Sequence, residues 1–455
     1  MRAFFFPLMA LILQVIPARA ARGFIRKLNA RADKPTDLAV RQTHDLQLYV
    51  DVSVICQADA KTGIQRVVKS VLLELIKSPP AGYRICPVYA TRRHAYRHTS
   101  LAFMSSLHFV SEENDLPVQP NTGDIFLGLD LSAHLLPKHQ SQLLGWKYRG
   151  VKLHFLVYDL LPIQNPQWFN PSTSRHFRRW LEVLVRYTDS VVCISQDVKA
   201  RAEAILLGQY KFQPGEVPIR TMVMGAELKV EHFNTGLAAD PGQIFEKLQT
   251  SRSVLMVGTL EPRKGHEQVL AAFELLWHQP NPPVLVIVGK LGWKTQALRD
   301  LLRSHPQAGK NLHWLEGVND ELLTHLYAQT WGVLAASEAE GFGLPVIEAS
   351  VFNKPVLARD LPVFREIDLP NITYFCADSA IGLADAISIW MRQAKTSNLT
   401  SEQKDAYSWQ TATRQLLQNI LARQDINLPT DGPLPASGSK EPATAVACSK
   451  LSAAH

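Results

Sequence analysis

Cysteine is scarce in this 455-residue sequence: Cys56, Cys86, Cys193, Cys376 and Cys448 are odd in number, scattered, and never spaced as CxxC. Such a set argues against a disulfide framework and fits a reducing compartment. Cys56, Cys193 and Cys376 lie in apolar runs (VSVICQ, SVVCIS, TYFCAD), which predicts buried thiols that pack as small hydrophobes. The 15 histidines contain no HExxH or similar ligand spacing, so the sequence offers no zinc site. Long Lys/Arg blocks and aromatic-interleaved basic stripes are also missing. The 48 basic and 41 acidic residues leave only +7. Nucleic acid is therefore not an expected partner, whereas anionic small molecules and anionic membrane surfaces are compatible. No apolar run reaches the roughly 20 residues of a spanning helix.

What is present is an average globular composition, 46% hydrophobic and 20% charged, on a chain long enough for two or three domains. Residues 1–40 stand apart. Ala3 to Ile16 (AFFFPLMALILQVI) is almost purely apolar, and Arg19, Arg22, Arg26 and Lys27 follow. The outline is that of a secretory signal with Ala18-Arg19-Ala20 as cleavage site, of an interfacial anchor on an anionic leaflet, or of a wrongly assigned start. The expectation adopted is an uncleaved peripheral anchor at the cytoplasmic face.

Strands and helices then alternate. Strands are expected at 47–56, 124–130, 151–159 and 189–195, and the helix after 62 carries Ile64, Val67, Val68, Val71, Leu72 and Leu75 on one stripe. The pattern pauses across polar residues 227–251 and restarts with SVLMVGTL, PVLVIVGK, NLHWLEG, WGVLAAS and KPVLA, each followed or preceded by helical periodicity. Apolar strands between amphipathic helices predict parallel sheets buried on both faces. The expected class is α/β, with two doubly wound Rossmann-like domains facing a central cleft, at 41–226 and 227–425 including a closing helix. Residues 426–455, rich in Pro, Ser, Ala and Gly, read as a disordered tail.

The most specific chemistry is SEAEGFGLPVIEAS at 337–350. Gly341 and Gly343 precede Leu344-Pro345, and proline suits a first helical turn. A glycine turn opening a helix offers backbone N–H groups and a favourable dipole to an anion. Glu340 and Glu348, at E-x7-E spacing, bracket that turn, and carboxylates accept hydrogen bonds from sugar hydroxyls.

In its setting this segment, with VLMVGTLEPRKGHEQVLAAF (254–273), VLVIVGKLGW (284–293), LEGVNDELLTHLY (315–327), DSVVCISQDV (189–198), TGIQRVVKSVLLEL (62–75) and YSWQTAT (407–413), resembles glycosyltransferase family 4, the retaining nucleotide-sugar enzymes of GT-B fold. The resemblance spans roughly residues 45–424 and is far more specific in the carboxyl half. It implies that Glu340 lies by the donor sugar, Glu348 by the nucleotide ribose, and the backbone of Gly341, Phe342, Gly343 and Leu344 by sugar and diphosphate. It also implies that Arg263 and Lys264 hold the diphosphate, and that Gly317, Val318 and Asn319 read the base. Many relatives carry arginine where Thr259 stands, which shifts that role to Arg263 and leaves Thr259 as a donor contact. Tyr158 replaces a histidine common in the family, so only Asp159 stays a catalytic candidate there. Gly63 stands alone where relatives have two glycines, and Arg66 reads as a solvated helix charge.

The implied activity is transfer of a hexose, by the look of the LEPRK loop from a GDP-mannose-type donor, to a lipid-linked or polysaccharide acceptor. No metal and no cofactor beyond the nucleotide-sugar substrate are expected, because fixed cations and helix amides can neutralise the diphosphate. The alternatives are a non-catalytic sugar-nucleotide-binding protein and another GT-B enzyme such as a sugar-nucleotide epimerase.

Overall fold

The computed structural model describes residues 2–32, 45–59, 62–107, 115–228, 245, 247–248, 251–394 and 396–422. The expected tail at 426–455 and most of the polar connection at 227–251 lie outside those residues. The described residues divide into two compact units, one from residues up to 224 together with 409–422, the other from 225–408.

The first unit opens with two helices, α1 (Arg2–Val15) and α2 (Ala18–Ala32). Its sheet comprises β1 (Leu46–Asp51), β2 (Tyr83–Tyr89), β3 (Arg97–His98), β4 (Ile125–Gly128), β5 (Lys152–Val157), β6 (Ser190–Cys193) and β7 (Ile219–Thr221). Helices α3 (Gly63–Lys77), α4 (Gln140–Tyr148), α5 (Pro171–Tyr187) and α6 (Gln196–Gly208) connect them. The strand order is β3-β2-β1-β4-β5-β6-β7, parallel except for β3. Every residue of β4 and β6 is buried, as the apolar runs predicted for strands covered on both faces. At Gly128 a Cβ would stand 2.3 Å from the Phe155 ring, so the small residue lets β4 and β5 close.

Residues 1–40 were expected to form a separate segment. Instead α1 packs on α4 and α2 on α5, burying Ala10, Leu13, Ala21 and Ile25 in the first unit. The closing helix, grouped with the second domain in the sequence reading, also clusters with the first unit. This helix, Trp409–Leu421, lies on α3 and β6.

The second unit contains β8 (Ser253–Val257), α7 (His266–Leu276), β9 (Val284–Val288), α8 (Gln296–Ser304), β10 (Leu312–Leu315), α9 (Asp320–Gln329), β11 (Gly332–Ala335), α10 (Leu344–Val351), β12 (Val356–Arg359), β13 (Ile372–Phe375) and α11 (Ala380–Gln393). The closing helix Trp409–Leu421 is α12. The six strands run parallel in the order β10-β9-β8-β11-β12-β13, the doubly wound arrangement. Leu285, Ile287, Phe273 and Trp390 join strands to helices in one apolar core. The described cysteines are all thiols, with Cys193 and Cys86 buried and Cys56 half-buried. Cys376 departs from the expected burial. It follows the last residue of β13, where the chain turns outward, and is exposed.

Candidate active site

In a doubly wound sheet the strand order reverses once, and ligands gather outside the carboxyl ends of the two strands that flank the reversal. In the second unit those strands are β8 and β11. The loop after β8 carries Thr259, Arg263 and Lys264, and the loop after β11 carries Glu340. The topology thus brings together two segments that the sequence holds far apart. Arg263 Nη1 donates to Glu340 Oε2 at 2.9 Å, and Lys264 Nζ donates to Glu340 Oε1. Ser337 Oγ donates to the same Oε1 at 2.6 Å, and Arg263 Nε forms an ion pair with Glu261 at 2.9 Å.

Backbone contacts lace the loops together. Arg263 Nη1 also donates to the Ala339 carbonyl at 3.0 Å, and the Glu338 amide donates to the Arg263 carbonyl at 2.7 Å. Gly265 turns the first loop into α7 at φ +75°, and a Cβ there would stand 2.5 Å from the Ala336 carbonyl oxygen. Burial alone would raise the Glu340 carboxyl, but Lys264 and Arg263 overcome it and hold the pKa at about 2. Glu340 is therefore ionised at neutral pH and fixes the geometry of both cations. His266, buried behind the loop, is pushed down to about 3 and stays neutral.

The glycine turn does open a helix. Gly343 is the N-cap of α10 at φ +107°, where a Cβ would meet the Phe364 ring at 2.5 Å, and Pro345 lies in the first turn. Gly341, Phe342 and Gly343 are buried and Leu344 half-buried. Glu348 is fully buried within α10 and accepts a hydrogen bond from Tyr327 Oη on α9 at 2.6 Å. The sequence reading missed Tyr327; its place opposite Glu348 depends on how α9 and α10 pack. Gly317, at φ +69°, and half-buried Val318 form the loop after β10, and Asn319 Oδ1 caps α9 by accepting from the Leu322 amide at 2.8 Å.

Gly63 and Asp159 belong to the first unit. There the sheet reverses between β1 and β4. Gly63 is the first residue of α3, behind the N-cap Thr62, whose hydroxyl accepts from the Gln65 amide in a capping box. Arg66 is half-buried on that helix. Asp159 follows β5, and its Oδ1 accepts from the Leu161 amide at 3.1 Å. Tyr158 is buried and donates to the Leu129 carbonyl at 2.8 Å.

Two carboxylates at this reversal escaped the sequence reading. Asp51 ends β1 and accepts from Ser53, from Tyr96 Oη at 2.9 Å and from Ser132 Oγ at 2.8 Å. Asp130 follows β4 and accepts from the Val54 and Ile55 amides at 2.8 and 2.9 Å. Both are buried. Burial first, and the Asp51 charge second, push Asp130 up to about 7. Together they fix the turn that leads from β1 towards α3.

Residues 242–406 match the family described as glycosyl transferases group 1. The matched segment includes both second-unit loops that meet at Glu340. Among curated relatives, the serotype-specific mannosyltransferase WbdA of Escherichia coli is 38% identical over 383 residues, 83% of this chain and 45% of WbdA. The O-antigen chain mannosyltransferase RfbU of Salmonella typhimurium is 41% identical over 231 residues, 51% of this chain and 58% of RfbU. The chain thus spans about half the length of the curated relatives it matches. Solved structures similar to it include HepE of Anabaena in complex with UDP and glucose, at 16% identity and TM-score 0.51 over 83% of this chain and 96% of that one. A glycosyltransferase of Rickettsia africae gives 17% identity and TM-score 0.52, over 83% and 94%. These likenesses show the fold, the GT-B class of two Rossmann-like units.

Proposed function

We propose that the chain is a retaining mannosyltransferase that takes its sugar from a GDP-mannose-type donor and extends a lipid-linked or polysaccharide acceptor. The observation that carries the reading is the convergence of Arg263, Lys264 and Glu340 at the strand reversal of the group 1 domain. Likeness to the WbdA mannosyltransferases supports the sugar, and likeness to the O-antigen chain mannosyltransferase RfbU supports the type of acceptor.

In this reading the bond from the anomeric carbon to the diphosphate breaks, and its electron pair leaves on the diphosphate oxygen. Negative charge grows there, so Arg263 and Lys264 act more strongly on the transition state than on the bound donor. Glu340 presets both cations and accepts from a sugar hydroxyl. Glu348, in α10, takes the ribose, while the amides of Gly341 to Leu344 face the diphosphate and Gly317 to Asn319 the base. Thr259 contributes from the β8 loop, and Gly63 and Asp159 are the first unit's candidates for binding donor and acceptor. The two cations stand in for a metal. The protein works peripherally at the inner face of the cell membrane.

Purified protein should consume GDP-mannose in the presence of an O-antigen-type mannan primer, release GDP, and form an α-linked product by NMR, with or without EDTA. Donor binding without transfer to any mannan or lipid-linked acceptor would make the chain a binding protein. Loss of transfer in EDTA with recovery in magnesium or manganese would overturn the metal-free mechanism.

A further inference from the structure

At the amino edge of the first sheet, away from the strand reversal, lies a cavity of about 190 Å³. Its wall comes from α2, the end of α4, and the segments that lead into β6 and β7. Four cations line it, Arg22, Arg26, Lys147 and Arg186, against two carboxylates, Asp189 and Glu216. Both carboxylates are already committed: Lys147 Nζ lies 2.6 Å from Asp189, and Arg19 Nε lies 3.0 Å from Glu216.

The remaining cations are under-used. Arg22 and Arg186 are each more than nine-tenths buried, yet the Nε of each has no hydrogen-bond partner among the described residues. Arg22 otherwise donates to the carbonyls of Thr188 and Glu216, and Arg186 to the Gln14 carbonyl and, at 3.4 Å, to the Glu182 carboxylate outside the cavity wall. Tyr187 also lines the cavity, and its buried hydroxyl has no partner among the described residues. Arg26 is exposed at the wall and has no ion-pair partner among the described residues. Buried guanidinium N–H groups without acceptors are costly unless an acceptor arrives, and their fork matches phosphate oxygens.

The neighbouring surface says where such a phosphate would come from. Arg186 grips the carbonyl of Gln14, one residue before the end of α1. The outward face of α1 is a continuous apolar stripe: Phe5, Leu8, Leu11, Ile12 and Val15, with Leu8 and Leu11 62% and Val15 84% exposed. Phe24 on α2 is exposed as well. At 14 residues α1 is too short to cross a membrane, and no described helix is long and apolar enough to do so. A short apolar face beside cations suits the headgroup boundary of an anionic leaflet.

We propose that α1 and α2 form a lipid-docking element in which the stripe enters the bilayer interface and the cavity takes the phosphate of an anionic phospholipid headgroup. The proposal deepens the peripheral membrane contact stated above and is independent of the sugar transferred.

Full-length protein should float with vesicles of phosphatidylcholine plus phosphatidylglycerol and not with phosphatidylcholine alone. Each basic residue near an anionic surface contributes about 1 kcal/mol, so reversing one charge with Arg26→Glu should lower vesicle affinity about 30-fold. Leu8→Ser/Leu11→Ser should abolish flotation, and Arg186→Gln should lower it for phosphatidylglycerol. Unchanged melting temperatures in these variants exclude misfolding as the cause. Flotation that ignores Arg26→Glu and Arg186→Gln would overturn the cavity as the headgroup site while sparing the membrane contact. Protection of the cavity arginines by inorganic phosphate without any flotation would make it a site for soluble anions and overturn the lipid docking. Mannosyl transfer, measured separately with soluble primer, reports on the enzymatic reading alone.

Discussion

The two glutamates of the glycine turn have different surroundings, and substitution should separate them. Glu340 is bound on both oxygens by Arg263, Lys264 and Ser337, so Glu340→Gln releases the cations that are proposed to hold the leaving group. Turnover should fall by about one to two decades, the range of a charged hydrogen bond. Glu348→Gln should instead weaken binding of the nucleotide without its sugar, measured by titration calorimetry. Equal losses of nucleotide affinity in both variants would refute the division. These residues were legible in the sequence because a short loop and one helical turn fix their spacing locally. Asp51 and Asp130 were not, since only the neighbouring places of β1 and β4 in the sheet bring them together. Their coupling has a consequence in pH. Asp130 has its pKa raised to about 7, against about 3.9 for an unfolded aspartate, so the native state holds a proton that the unfolded chain releases between those values. Stability contributed there is complete below pH about 4 and is lost as pH rises through about 7. Asp130→Asn keeps an acceptor oxygen for the Val54 and Ile55 amides and removes the ionisation. Urea midpoints measured across that window should fall less steeply in the variant; an unchanged slope would show that Asp130 is not the titrating group.

Elements were recovered where periodicity and chain direction sufficed, as in β4 to β6, β8, β9, β11 and β12, whose apolar runs are largely buried, and in the half-buried edge strand β10. The failures come from packing between elements. The apolar run at the amino terminus gives no sign of which side packs: Ala10 and Leu13 of α1 are covered by α4, and Leu8, Leu11 and Val15 are left exposed. The short edge strands β3 and β7 carry two and three residues and leave almost no pattern. At the level of the loop-to-helix junctions, Gly265 is held by geometry rather than by chemistry. Gly265→Ala must accept a left-handed backbone and a contact that is too close to Ala336, so it should cost more than about 1–2 kcal/mol. The displaced β8 loop should lower donor affinity as well. Thermal melting together with nucleotide titration checks both, and a variant that matches the parent in melting temperature would show that the loop relaxes freely.

The chain leaves the first unit after Met224, builds the whole second unit, and returns at Trp409. That crossing was invisible in the sequence, where α12 is simply the next helix after the group 1 segment. Its amphipathic stripe gives the reason for the return: Trp409, Ala412, Leu416 and Ile420 are buried, and α12 lies on α3 and β6. Polar contacts fix the register. Asn419 Nδ2 donates to the Thr221 carbonyl at 2.8 Å, the Val223 amide donates to Gln415 Oε1 at 2.9 Å, and Arg220 donates to the Asn419 carbonyl. Each large buried side chain contributes about 1.5–3 kcal/mol, so three or four of them equal much of the 5–15 kcal/mol that holds a typical domain. Ending the chain at Ser408 should therefore unfold or loosen the first unit while the second keeps its own core of Phe273, Leu285, Ile287 and Trp390. Hydrogen exchange read by mass spectrometry would show it: amides of β1, β4, β5 and β6 should lose protection, and those of β8, β9 and β11 should not. The truncated protein should still bind nucleotide weakly through its second unit, and should transfer no sugar. Exchange that rises first in β8 to β11 would mean that α12 supports the second unit, and the division of the chain drawn here would be wrong.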